Sequence, residues 1–158
     1  MNFESLIKEI ETVFPFVEKP AGINISFHKI DCYQCLYLRQ EMEKYPVSEL
    51  PKAALRYIHD ELSCLSAKGW AWVLPSYLRY CVKSNSTYDG VETEFLIYNL
   101  SPELKYQKET LNRLSALNKK QILCLFHFIE WCEKHEHWSS YCPEEILRAK
   151  QFLLSVKA

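Results

Sequence analysis

The sequence predicts an all-α protein, a single domain over residues 1–158 built from about six to eight helices. Only three glycines occur, so a β-rich fold with many tight turns is disfavoured, because such turns need residues that tolerate positive φ. Apolar residues recur at helical spacing along most of the chain. The most apolar segment, near 118–134, carries apolar residues on more than one face, which places it at the centre of a helical bundle.

Helical spacing predicts the first helix over residues 2–14. Its expected buried stripe is Phe3, Leu6, Ile7, Ile10 and Phe14. The segment 20–22 (Pro-Ala-Gly) interrupts the chain after it. Asp31 is a suitable N-cap for a second helix through about Lys44, because its carboxylate can accept hydrogen bonds from the first backbone N–H groups. Pro46 ends that helix.

The middle of the chain is predicted to contain three further helices. Ser48 is the expected N-cap of the first of them. Its buried stripe is Ala54, Leu55, Ile58, Leu62 and Leu65. Ser66 is the expected cap of the next helix. Pro75 lacks a backbone N–H and clashes with the preceding turn, so we predict two consecutive helices here, over residues 67–73 and 75–83.

The remaining elements follow the same logic. The polar segment 84–90 is the clearest surface loop. Residues 94–100 are short enough for a strand or a helix, and we favour a helix from the helical context. Ser115 or Asn118 begins the central helix. Pro143 lies in the first turn of the last helix, where proline is well tolerated.

Composition excludes several classes of protein. The formal net charge is −1 and no basic stripe occurs, so we expect no nucleic-acid binding. No apolar run approaches the roughly 20 residues that cross a bilayer, so we expect no membrane insertion. The N-terminal residues lack the pattern of a secretory signal, which predicts a cytoplasmic protein.

The chain has seven cysteines. An odd count without a secretory signal argues against a disulfide framework. Four of them lie in helical apolar patterns, where free cysteine packs as a small apolar residue: Cys64, Cys81, Cys124 and Cys132.

The residue spacing most typical of a metal-binding or redox site is His28 followed by Cys32-x-x-Cys35. Two thiols and an imidazole are zinc ligands, and three of the usual four would be local. The fourth would come from elsewhere, with His59 and Cys64 as candidates. Two alternatives stay open. The cysteines can be ordinary reduced thiols without metal, or a redox dithiol, although such a dithiol usually follows a strand.

A second group, Cys132-x-x-His135-x-His137, also has metal-binding residue types. Histidines at the C-terminal end of a helix complement its dipole, so no metal is needed to explain them. The His-Glu-x-x-His arrangement of zinc proteases is absent.

Evidence for catalysis is weak. No Gly-x-Ser-x-Gly nucleophile elbow occurs. The carboxylate pairs Glu41/Glu43 and Glu92/Glu94 are expected to be solvated surface. We therefore expect no enzyme activity.

Aromatic residues are abundant, with ten tyrosines and four tryptophans. The dense cluster over residues 70–78 is expected to pack in the core. A core of this size does not require so many, so some should reach the surface, where Tyr and Trp anchor protein interfaces.

Three segments together resemble a known group of proteins. They are His28, Cys32 and Cys35; the Leu-Pro-x-Tyr-Leu junction within residues 72–78; and Leu114-Ser115 leading into residues 121–131. This combination is similar to a group of small bacterial proteins of unknown function. That group commonly has Glu before the second cysteine, where this chain has Gln34. The resemblance implies a helical fold and brings no established activity.

These observations predict a non-catalytic module that binds one protein partner. Small proteins of this kind often neutralise a toxin encoded nearby, so the expected role is that of an immunity protein acting by stoichiometric association. The alternative is a small metal-binding domain that uses His28, Cys32 and Cys35.

Overall fold

The apolar periodicity of the sequence produces helices throughout the part of the chain that the computed structural model describes, residues 1–84 and 90–157. In that part the α-helices are α1 Phe3–Val13, α2 Tyr33–Met42, α3 Lys52–Ile58, α4 Ala67–Ser84, α5 Val91–Asn99, α6 Gln107–Arg113, α7 Lys119–Lys134, α8 Glu136–Tyr141 and α9 Pro143–Lys157. Short 3₁₀ helices cover Gly22–Asn24, His59–Cys64 and Leu104–Tyr106. No β-strand occurs among these residues, so the all-α prediction is confirmed.

Helix α7 lies at the centre of the bundle, as predicted for residues near 118–134. Asn118, one of the two expected starts, forms a capping box with Gln121: each side chain bonds the other residue's backbone N–H, at 2.9 and 3.0 Å. Helix α7 packs against α9, α1 and α8. Its fully buried side chains are Cys124, Leu125, Phe128, Ile129 and Cys132. Burial against several neighbours explains why this helix is apolar on more than one face.

Helix α4 corrects the prediction of a break at Pro75, because it runs without interruption from Ala67 to Ser84. An interior proline costs about 3 kcal/mol through the lost hydrogen bond and the clash with the preceding turn. Nearly every neighbouring side chain on both sides of the proline is buried, including Trp72 and Tyr77. Arg79 also donates to the carbonyls of Pro75 at 2.7 Å and Phe14 at 2.8 Å. Tertiary burial therefore outweighs the local penalty.

Two predicted N-caps are also wrong. Asp31 has φ 58°, a left-handed conformation that places it before the helix, and the N-cap of α2 is Cys32, whose Sγ accepts from Cys35 N at 3.4 Å. Helix α3 begins after Pro51 rather than at Ser48. The predicted stripe of this region is nevertheless buried, with Leu62 and Leu65 placed by the tighter 3₁₀ turns that follow α3.

Several other sequence predictions can be compared directly. Residues 94–100 are helical in α5, as favoured. In the first-helix stripe Leu6, Ile10 and Phe14 are buried, Ile7 is half-buried, and Phe3, the first residue of α1, is exposed. Helices α6 and α8 were not predicted. Of the predicted loop 84–90, residues 85–89 lie outside the described part of the chain.

The aromatic cluster of α4 packs inside the core, and its polar atoms all find partners. Trp70 Nε1 donates to Leu62 O at 2.9 Å, and Trp72 Nε1 donates to Val47 O at 2.9 Å. The hydroxyl of Tyr77 donates to a backbone carbonyl of α5 at 2.6 Å. These bonds connect the core helix to the segments around it without leaving buried donors unpaired.

The segment before His28 is held against the start of α4 by backbone contacts. Phe27 N donates to Cys64 O at 2.6 Å, and Ser66 N donates to Ile25 O at 2.9 Å. Gly69 permits this approach, since a Cβ added there would lie 2.3 Å from Ile25 O. The bonds fix the position at which the chain enters the candidate site.

We expect Gly69→Ala to lower the free energy of unfolding by about 1–3 kcal/mol, because the added methyl forces the backbone segments apart. Gly22→Ala is the matched control, since a Cβ at Gly22 would meet nothing within 4 Å. Urea unfolding of both variants measures the difference. Equal stability of the two variants would contradict this account of the contact.

We expect Leu125→Ala, in the fully buried part of α7, to cost about 2–5 kcal/mol as a large-to-small core change. Leu154→Ala on α9 removes the same atoms from an exposed side chain and should change stability by about 0.5 kcal/mol or less. Thermal and urea unfolding provide the measurement. Similar losses in both variants would refute the central position of α7.

Candidate metal centre and adjoining cavity

The backbone around His28 is fixed by a small hydrogen-bond network. Ser26 is fully buried, and its hydroxyl donates to His28 O at 2.7 Å. Arg39 of α2 donates to Ser26 Oγ at 2.6 Å and to His28 O at 3.1 Å. Asp31, in its left-handed conformation, then leads the chain into α2. The loop before α2 is therefore tied to the helix that follows it.

This arrangement brings the three predicted ligands together. One ligand atom from each of His28, Cys32 and Cys35 lies within 4.8 Å of the other two. Cys35 Sγ is 3.8 Å from His28 Nδ1. Ligand atoms of a tetrahedral zinc site with thiolate and imidazole ligands lie about 3.5–3.8 Å apart, so a small contraction would close the group around an ion.

The two thiols have different environments. The backbone N–H of Cys35 donates to Cys32 Sγ at the start of α2, and this bond lowers the pKa of Cys32. Cys35 is fully buried, and burial raises its pKa. The pair thus combines one half-buried thiol that favours the thiolate with one enclosed thiol.

The structure does not add a fourth protein ligand from the two residues that the sequence suggested. The thiol of Cys64 is directed at Glu61 Oε2, 3.4 Å away, and burial, followed by that carboxylate, raises the pKa of Cys64 to about 12. His59 Nδ1 pairs with Arg56 O, and its ring packs edge-on against Phe95. Within residues 1–84 and 90–157, the group of candidate ligands is limited to His28, Cys32 and Cys35.

A cavity of about 460 Å³ adjoins the candidate metal centre. His28 and Cys32 form part of its wall. The rest comes from Gln34, the end of the 3₁₀ helix His59–Cys64, helices α5, α6 and α9, and the segment between α5 and α6. Two arginines line this cavity: Arg113 from α6 and Arg148 from α9. Sequence reasoning missed both arginines, because their neighbours in the chain give no sign that two distant helices meet there.

The other candidate groups are not assembled in the same way. Cys132 is fully buried and belongs to the core, as do the other three cysteines predicted there, while His135 accepts from the backbone N–H of His137 at 3.3 Å. Glu92 corrects the expectation of solvated surface: it is 1% exposed and accepts from Arg56 Nε at 2.6 Å. This ion pair, between the buried Glu92 and a partly exposed Arg56, links α3 to α5.

An exposed apolar surface lies directly beside the three candidate ligands. We call it the α2 face. It consists of Ile30, Tyr33, Leu36 and Tyr37. Ile30 and Tyr33 are each 78% exposed and Tyr37 is 58% exposed, which are high values for large apolar side chains close together in one helix and the turn before it. Some of the tyrosines in this tyrosine-rich sequence therefore lie on this surface.

Comparison with known proteins places the chain in a family. Residues 2–143 match the family of unknown function DUF6714. The chain belongs to this family. No match was found among curated proteins or among solved structures. In the part of the chain that the structure describes, none of the helices has the length and apolar character needed to span a bilayer.

Proposed function

We propose that the protein binds a zinc ion through His28, Cys32 and Cys35. The observation that supports this proposal is the approach of the three ligand atoms to within 4.8 Å. Two thiols and an imidazole form a soft to borderline donor set, which suits zinc and not magnesium or calcium. Hydrogen bonds from Ser26 and Arg39 to the His28 carbonyl hold the backbone of the ligand loop beside α2.

The ion would connect the loop before α2 to the helix itself. His28 lies in the loop, and both cysteines lie in the first turn of α2 or at its cap. With three protein ligands, the fourth coordination position would be open to water or to a molecule in the cavity, whose wall includes His28 and Cys32. The proposed role is binding, without turnover.

The expected metal content is about one zinc per chain by elemental analysis, lost on Cys32→Ser because one of three local ligands is removed. Cys142→Ala is the matched control, since Cys142 is a buried core thiol outside the ligand group. The control should retain the metal. A wild-type protein that carries no zinc, and folds identically with zinc or with chelator, would refute the site.

We also propose, as a second function, stoichiometric association with one protein partner through the α2 face. Tyrosines that are largely exposed on one helix are the residues that anchor interfaces. The partner class we propose is a toxic protein that this chain neutralises, without catalysis, in the cytoplasm. All seven cysteines are free thiols, which is compatible with a reducing compartment.

Acidic steering of a basic partner receives limited support. Glu92 is buried and cannot contribute. Glu41 pairs with Lys44 at 2.9 Å, which neutralises part of its charge at the end of α2. The apolar α2 face therefore supports the association more strongly than charge does.

We expect the double variant Tyr33→Ala, Tyr37→Ala to weaken partner binding by about 2 kcal/mol or more, since both side chains would be removed from the interface. The measurement is co-purification and calorimetry with the product of the neighbouring gene, followed by protection of cells that co-express it. Tyr141→Ala is the control, because Tyr141 is 57% exposed, close to the value for Tyr37, but lies on α8 and outside the α2 face. Unchanged binding by the double variant would contradict the α2 face as the interface.

A further inference from the structure

Arg113 is a buried cation with few partners. The residue is 9% exposed, and its Nε has no hydrogen-bond partner among the residues that the structure describes. Its guanidinium stacks on the ring of Phe27 at 4.5 Å. Within the described part of the chain it forms one ion pair, from Nη2 to Glu109 Oε2, which is long at 3.6 Å. A guanidinium carries several N–H donors, and a buried charge requires a counter-charge, so this residue has unused capacity for an anion.

Burial disfavours the charged form of this group. It lowers the pKa of Arg113, and the nearby Glu109 carboxylate only partly opposes the effect. Glu109 is 54% exposed, so water screens its attraction. Glu109 therefore compensates the charge of Arg113 only in part.

Arg148 of α9 lines the same cavity. Its Nε donates to Ser101 O at 2.6 Å, which orients the guanidinium through a buried residue. Two arginines from helices far apart in the sequence thus line one open cavity of about 460 Å³, a volume within the usual range for small-molecule sites. The carboxylates in the wall are Glu103 and Glu109, and both residues are exposed.

We propose that this cavity binds a small molecule bearing a carboxylate or phosphate group, held by Arg113 and Arg148. The planar guanidinium fork matches the oxygens of both oxyanions and forms charge-assisted hydrogen bonds with them. Tyr98 and Tyr106 give the same wall apolar ring surface for the rest of the molecule. This inference goes beyond zinc or protein binding, and it does not require either.

The test is calorimetric titration of the full chain with inorganic phosphate and, separately, with succinate. We expect saturable binding of one of them, with an affinity that falls as ionic strength rises. Arg148→Gln should weaken that binding about tenfold or more, as should Arg113→Lys, because each removes donors to the oxyanion. Lys150→Gln is the matched control on α9. It removes one positive charge that is paired with Glu133 at 3.0 Å, outside the cavity wall.

The outcomes separate this inference from the metal proposal. Binding by phosphate alone or by succinate alone identifies the anion class. Absence of binding by both, or an equal loss in Lys150→Gln, overturns the cavity site. Circular dichroism checks that each variant is folded. If Arg113→Lys is unfolded, the anion affinity of Arg148→Gln alone tests the cavity site. Titrations of chelator-treated protein and of Cys32→Ser show whether anion binding persists without zinc, so failure of one proposal does not obscure the other.

Discussion

The contact between the loop before α2 and the start of α4 is the constraint on which the candidate site depends. Two backbone hydrogen bonds and the close approach at Gly69 hold Ile25 and Phe27 against the chain from Cys64 to Ser66. This contact sets where His28 enters the site and where Phe27 lies under Arg113. The proposed metal ligands and the cavity therefore share one backbone support, and a displacement of that support would disturb both.

The sequence allowed much of the fold to be predicted because helix signals are local. Apolar spacing and caps within a few residues were enough for α1, α7 and α9. Pro75 shows where this reasoning fails. The penalty for an interior proline is local and visible, whereas the burial of its neighbours that compensates for it depends on the complete core.

The same distinction separates the two parts of the site. His28, Cys32 and Cys35 lie within one short segment, so spacing alone identified them. Arg113 and Arg148 belong to α6 and α9, and only the packing of the bundle brings them to one cavity. Glu92 failed as a surface prediction for a related reason, because its burial depends on Arg56 from another helix. A single sequence shows candidate ligands that lie close together in the chain. It does not show which residues of distant helices meet in the folded protein.

The unequal exposure of the cysteines has a practical consequence. All seven lie in the described part of the chain, and Cys32 is the one that is not buried. In the metal-free state the folded protein therefore offers a single accessible thiol to an alkylating reagent, at the cap of α2, and that thiol is also the one with the lowered pKa. The chain contains a natural attachment point for a fluorophore or spin label, placed beside both the α2 face and the cavity, with no need to remove the other six cysteines first.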